Sequence, residues 1–249
     1  MIDPYAATAE FYDLVAAPLW ARKGPVLADA LRQARPDRGP ILDIGAGTGL
    51  STEVIADALP DARIIAVEPS SAMRIALATR IAVRGLTGRI TIVADPVDGL
   101  SFPDRLGGAV AYGVLGHLPA ADRTRLLTTL GQRLAPGAPA VVELLDETAP
   151  PTPALSRIAR VPVGEHHIEV WSRGGGDDSQ RPPDGPVRWT LTYRLLRGNT
   201  VLRTVETPMP WTDYDLTALR TEARRAGLSC TRVAPDVAVL TRGDTAESE

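Results

Sequence analysis

Asp43-Ile44-Gly45-Ala46-Gly47-Thr48-Gly49 follows a short apolar run, Ile41 to Ile44, and precedes a helical pattern. Three glycines at alternate positions let the backbone turn sharply and approach a ligand closely. Leu50, Val54, Ile55, Ala58 and Leu59 share one helical face, and Pro60 ends that helix. The start of this helix presents free backbone N–H groups and the positive end of its dipole to the negative end of a ligand. Ile64 to Val67 reads as the next strand, and Glu68 ends it, 25 residues after Asp43. A carboxylate there can accept hydrogen bonds from ribose hydroxyls. Asp95 ends a third strand beside the same crevice, where ligands of open α/β sheets bind. The spacing is Gly-x-Gly-x-Gly, with Leu50 where a dinucleotide fingerprint needs its last glycine, which argues against NAD.

Outward from this loop, strands and helices alternate from residue 40 to about 146. Ser70 and Ser71 can cap a helix carrying Met73, Leu77 and Ile81, which Gly85 stops. Ile90 to Ala94, Ala109 to Tyr112 and Val141 to Leu145 read as further strands, with a helix from about Ala120 to Leu134. This alternation predicts a parallel sheet with helices on both faces. Residues 1–39 read as two helices, with stripes at Phe11, Leu14, Val15 and at Val26, Leu27, Ala30, Leu31. Residues 147–212 break the alternation and read as three antiparallel strands, at 163–172, 187–196 and 201–207. In the second, Trp189, Leu191, Tyr193 and Leu195 alternate with polar residues, and Gly198-Asn199 is a hairpin signal. Thr212 with Asp215 resembles a capping box for a helix that Gly227 closes, and residues 228–233 and 237–241 form a last antiparallel pair. The expected divisions are N-terminal helices or lid at 1–39, an α/β core at 40–146, an antiparallel β cap at 147–212, and a helix and strand pair at 213–249 that completes the core.

Composition removes several functions. The net charge of −3 provides no field that recruits nucleic acid. Cys230 is the only cysteine, which excludes an intramolecular disulfide framework and a cysteine-cluster zinc site. No apolar run reaches the ~18 residues of a membrane span, and the N-terminus lacks the basic and apolar regions of a signal peptide, so a cytoplasmic address is expected. Lys23 is the only lysine, so a Tyr-x-x-x-Lys pair and a Walker lysine are absent. No metal is expected: Asp146 and Glu147 end the fifth strand without another carboxylate in place.

The loop at 43–49, Glu68 and the closing strand pair resemble the class I S-adenosylmethionine-dependent methyltransferases of the small-molecule type, over about residues 40–146 and 213–242. The resemblance implies a Rossmann-like seven-stranded sandwich, strand order 3-2-1-4-5-7-6, with the β insertion after the fifth strand. It implies S-adenosylmethionine as cofactor, with Asp43, Gly45, Ala46, Gly47 and Gly49 around the methionine portion and Glu68 and Pro69 at the ribose. Asp95 and Pro96 would flank the adenine, Ala111, Tyr112 and Gly113 would meet the amino acid end, and Tyr5, Phe11 or Tyr12 would serve as a lid. The chain departs from the family at Gly107-Gly108, where members usually carry an aspartate.

Methyl transfer from a sulfonium needs alignment in a dry pocket, and a general base only where the acceptor holds a proton. His117 is the candidate base or substrate contact; its alternative is to cap the next helix and pack on the sheet. Glu143, within the fifth strand, either contacts substrate or pairs with an arginine. His166 and His167 face opposite sides of one strand, so only one can enter a pocket. Trp171, like Trp189, Tyr193 and Trp211, is either core of the added sheet or an aromatic wall for substrate. The insertion has more arginines than acidic residues, which favours an acidic or phosphorylated substrate. The expected activity is methyl transfer to an O or N atom of a small molecule, in secondary metabolism. A different reaction on the same fold, such as a cyclisation, and a non-catalytic partner subunit are the alternatives. The insertion would act as a substrate cap or as the surface of a homodimer.

Overall fold

The computed structural model describes Asp3 and residues 5–144, 154–174, 187–212 and 214–243. Seven strands form one sheet: β1 (Ile41–Ile44), β2 (Ile64–Val67), β3 (Ile90–Val93), β4 (Gly108–Ala111), β5 (Pro139–Glu143), and, after the second sheet described below, β10 (Leu228–Ala234) and β11 (Val237–Arg242). Their order is β3-β2-β1-β4-β5-β11-β10, and only β11 runs against its neighbours, as the resemblance implied. All residues of β1 and β4 are buried, as befits parallel strands covered on both faces.

Side-chain alternation assigns the helices. Leu42 and Ile44 face Leu126 and Leu130 of α4 (Ala120–Arg133) and Leu219 of α5 (Leu216–Arg225). Ile41 and Ile64 face Leu27 of α1 (Ala9–Ala30), Ile55 of α2 (Leu50–Ala58) and Leu77 of α3 (Ser71–Val83). By the same parity Asp43 points toward α2, which fixes its role below.

Gly107 explains the departure at Gly107-Gly108. A Cβ there would lie 2.2 Å from the Arg35 carbonyl oxygen and 2.5 Å from that of Gly39. The linker into the sheet packs directly on this backbone, with Arg35 N donating to Gly107 O at 2.7 Å, so no side chain fits.

Three expectations need correction. Residues 9–30 form one helix where two were expected. Pro18 and Pro25 lie inside it and each forfeits a backbone hydrogen bond. The helix persists because its ends are anchored in different cores, Phe11 against the second sheet and Leu27 against the first. The insertion has four strands, not three: β6 (Ser156–Val163), β7 (His166–Gly174), β8 (Val187–Arg197) and β9 (Thr200–Trp211), paired antiparallel in that order. The overlooked β6 is an edge strand with Arg157, Arg160 and Pro162 and mostly exposed residues, so it shows no apolar alternation. The cap of α5 is Asp215, whose carboxylate accepts from Ala218 N at 2.7 Å, rather than Thr212.

Candidate active site

A cavity of about 370 Å³ opens at the carboxyl ends of β1, β2 and β4. On one side the loop after β1 carries Gly45, Gly47 and Gly49, all at positive φ (65°, 57° and 93°). A Cβ at Gly45 would meet Val114 Cγ2 at 2.5 Å, and one at Gly49 would meet Leu77 Cδ1 at 2.7 Å, so both conformation and space require glycine. Gly45 and Gly47 line the cavity; Ala46 and Gly49 are turned into the surrounding packing.

Glu68 holds this loop in place. Its carboxylate accepts from Gly47 N at 2.8 Å and from Ser70 N at 2.7 Å. Burial raises its pKa, and these two hydrogen bonds oppose the rise. Asp43 is turned away from the cavity: Ser51 and Thr52 hydroxyls donate to its Oδ2 at 2.9 and 2.5 Å. Its Oδ1 is buried without a hydrogen-bond partner among the described residues, and burial pushes its pKa up to about 7. Asp43 thus braces the start of α2, and any effect on a ligand is indirect.

The N-terminal arm crosses the cavity. Tyr5 and Tyr12 both line it. Burial pushes the Tyr5 phenol up to about 12, and raises Tyr12 as well, so both remain hydrogen-bond donors. Asp3 accepts from Ser70 Oγ at 2.8 Å. Asp13 accepts from Thr48 Oγ1 in the glycine loop and forms an ion pair with Arg80 at 2.6 Å, while Arg80 Nε donates to Thr48 O at 3.0 Å. Arm, loop and α3 are therefore tied together.

The opposite wall follows β4. Tyr112 lines the cavity, with its hydroxyl buried and unpartnered among the described residues; Ala111 is packed in the core beneath. His117 ends a 3-10 turn, Leu115–His117, and lines the mouth with Asp122 from the first turn of α4. It does not cap α4, whose N-cap is Pro119. The Tyr5 hydroxyl lies 3.3 Å from His117 Nε2. After β3, Pro96 and Asp98 line the cavity together with Pro69, whereas the expected Asp95 is exposed and outside the lining. The chain turns after Asp95 into a 3-10 turn, Val97–Gly99, which brings Asp98 to the wall.

Glu143 pairs with Lys23 of α1, not with an arginine. Burial raises its pKa, and the Lys23 ammonium pulls it back. Neither His166 nor Trp171 lines the cavity. Both lie on β7 in the second sheet. Trp171 Nε1 donates to Glu169 at 3.0 Å, with Arg157 and Arg194 over its ring, and His167 contacts Arg160. Asp146 and Glu147 lie outside the described residues, among which no group of three or more metal-binding side chains occurs. No described helix is long and apolar enough to cross a membrane. Asp98, Asp122 and Lys23 are site neighbours that sequence reasoning missed, each arriving by a tertiary contact with no local signature, while Trp211, one of the candidate aromatic residues, packs against His117.

Residues 41–137 match the family model described as a methyltransferase domain. Among solved structures, DesVI of Streptomyces venezuelae is similar with a TM-score of 0.74 at 17% identity, over 98% of this chain and 100% of its own. CalS10 of Micromonospora echinaspora, an amino pentose methyltransferase involved in calicheamicin biosynthesis and solved with S-adenosylmethionine, gives 0.69 at 18%, over 90% and 91%. KedS8 of a Streptoalloteichus species, a sugar N-methyltransferase, gives 0.64 at 16%, over 96% and 88%. At these identities the likeness is one of fold. No curated protein matches the sequence.

Proposed function

We propose that this chain, which matches a methyltransferase domain over residues 41–137 and shares the fold of DesVI and CalS10, is an S-adenosylmethionine-dependent enzyme that methylates an amine nitrogen of a small, sugar-like acceptor in secondary metabolism. One observation carries the reading. A single cavity holds the glycine loop and Glu68 on one wall and His117 with Asp98 and Asp122 on the other. The residues fit the cofactor: the open glycine loop admits close backbone approach, Glu68 keeps lone pairs beyond the two it uses, and the Tyr112 hydroxyl awaits a partner. Bound there, S-adenosylmethionine supplies an electrophilic methyl carbon on a sulfonium.

In this reading Glu68 accepts from the ribose hydroxyls, Pro69, Pro96 and Val97 hold the purine, and Tyr112 and Gly113 meet the amino acid end. Asp98 takes the place expected of Asp95. Tyr5 and Tyr12 close over the site and exclude water, which sharpens every polar interaction within it. His117 takes the proton that an ammonium acceptor must lose before its lone pair can attack. Asp98 and Asp122 favour a cationic acceptor at the mouth. Arg157, Arg160 and Arg194 of the second sheet gather around Trp171 and Glu169, and no arginine is among the described residues that line the cavity, which favours a cationic over an acidic acceptor. A sugar N-methyltransferase and an amino pentose methyltransferase of similar fold support the same choice. The second sheet, β6–β9, then serves as the cap over the acceptor.

Calorimetric titration with S-adenosylmethionine and S-adenosylhomocysteine, followed by methyl transfer to a panel of amino sugars and their hydroxyl counterparts, tests this. The expected result is micromolar binding of both and transfer to amines, with His117→Asn slowing it about 10²–10⁴-fold. Binding of neither ligand by folded protein, or transfer to hydroxyls alone, contradicts it.

A further inference from the structure

We propose that Trp211 is a positioning residue for His117, so that the second sheet orients the proton acceptor as well as covering the cavity. This rests on the reading of His117 as the base. Gly116, inside the turn that His117 ends, lies directly beneath the Trp211 indole: a Cβ at Gly116 would be 2.0 Å from Cε2 and 2.4 Å from Cδ2. The imidazole meets the same indole edge-on, with ring centroids 4.8 Å apart at 79°. Thr212 N donates to Gly116 O at 2.8 Å, which fastens the end of β9 to the turn by backbone as well as by ring. Across the imidazole stands Tyr5, its ring 6.5 Å away at 83° and its hydroxyl at Nε2. The terminal torsion of histidine is soft, so the direction of its nitrogens is set by what packs on the ring. Trp211 supplies that packing.

The support is rigid. Trp211 is the last residue of β9, whose 12 residues pair along β8. Near the other end of β9, Arg203 forms an ion pair with Glu10 at 2.5 Å and lies over Phe11, 5.8 Å from its ring centre. One strand therefore reaches both the helix behind Tyr5 and the turn that holds His117. The titratable groups sharing the cavity with His117 are Tyr5 from the arm, Tyr12 from α1, Glu68 after β2, Asp98 after β3, Tyr112 after β4 and Asp122 from α4. Trp211 carries no charge, so it acts on the direction of the imidazole.

Variants of Trp211, His117 and Gly116 test this. Trp211→Phe retains an aromatic edge and is expected to keep kcat within about threefold, whereas Trp211→Leu lowers it about tenfold to a hundredfold. S-adenosylhomocysteine affinity stays unchanged in both. The His117 ring-proton NMR signals, assigned by their loss in His117→Asn, shift in Trp211→Leu. Full kcat in folded Trp211→Leu, or His117 signals that do not move, overturns the proposal. Should Trp211→Leu not fold, Gly116→Ala carries the same test, because its methyl group must displace the indole; unchanged kcat there overturns the proposal equally. Full activity in His117→Asn overturns the base assignment itself, and is read in a protein whose Trp211 is intact.

Discussion

Glu68 accepts one backbone hydrogen bond from the glycine loop and one from Ser70, which uses about two of the four lone-pair positions of its carboxylate. The other two match a ribose diol. Glu68→Gln replaces one acceptor oxygen by an NH2 group that must face a donor, so cofactor affinity should fall by roughly 1–3 kcal/mol, measured by titration calorimetry. Unaltered affinity would remove Glu68 from the ribose site. Asp43 gives a prediction in pH. Its folded pKa, about 7, lies above the ordinary 3.8, so the folded chain keeps a proton that the unfolded chain releases. That stabilisation is complete below pH 3.8 and is lost as pH rises through about 7. Over that window Asp43→Asn should flatten the pH dependence of unfolding by up to about 1.4 kcal/mol per unit, read by denaturant titration. An unchanged slope would mean Asp43 is ionised in the fold. That Gly45, Gly47 and Glu68 lie at the cavity was legible in the sequence because their positions follow from local geometry at strand ends. Asp43 was legible as a member of the loop but not in its orientation, which depends on strand parity and on Ser51 and Thr52. Asp98 rather than Asp95 lines the cavity because a 3-10 turn of three residues, invisible to periodicity, follows β3.

At the scale of elements, α1 carries much of the assembly. Lys23 reaches from it to the largely buried Glu143 at the end of β5, whose side chain is 12% exposed, and Gly113 N also hydrogen-bonds that carboxylate. Removing one partner strands a buried charge, while removing both can be nearly neutral. Lys23→Met should therefore cost about 1–3 kcal/mol, discounted because the lysine is partly exposed, and Glu143→Leu in that background should recover most of it. Thermal unfolding of the single and double variants decides this; equal losses in both would make the pair unimportant. The two stripes pointed to both halves of α1 but not to their union, since Pro18 and Pro25 inside it disfavour a continuous helix and are overridden by anchorage at both ends. Strand β6 escaped notice for the opposite reason: pairing with β7, not its own pattern, makes it a strand.

For the whole molecule, the two sheets share that helix. Phe11 stacks on Tyr193 in the second core, with centroids 5.4 Å apart, while Leu27 lies in the first. The chain should unfold in one transition, and S-adenosylhomocysteine at a hundred times its Kd should add about 2.7 kcal/mol, or about 5–10 °C in Tm. Two separate transitions, only one of them moved by ligand, would show the sheets to be independent units. The parallel sheet with helices on both faces was readable from strand–helix alternation, and its seven-stranded order from the family resemblance; the seating of the second sheet was not, because it depends on aromatic contacts between distant segments. Lys23 is the chain's only lysine, so isotope-labelled lysine yields a single side-chain amine resonance. That one peak reports whether α1 is docked on the sheet, and the same nitrogen is the only lysine amine that an acylating dye or an activated resin would find, at the point where attachment would pull the helix away.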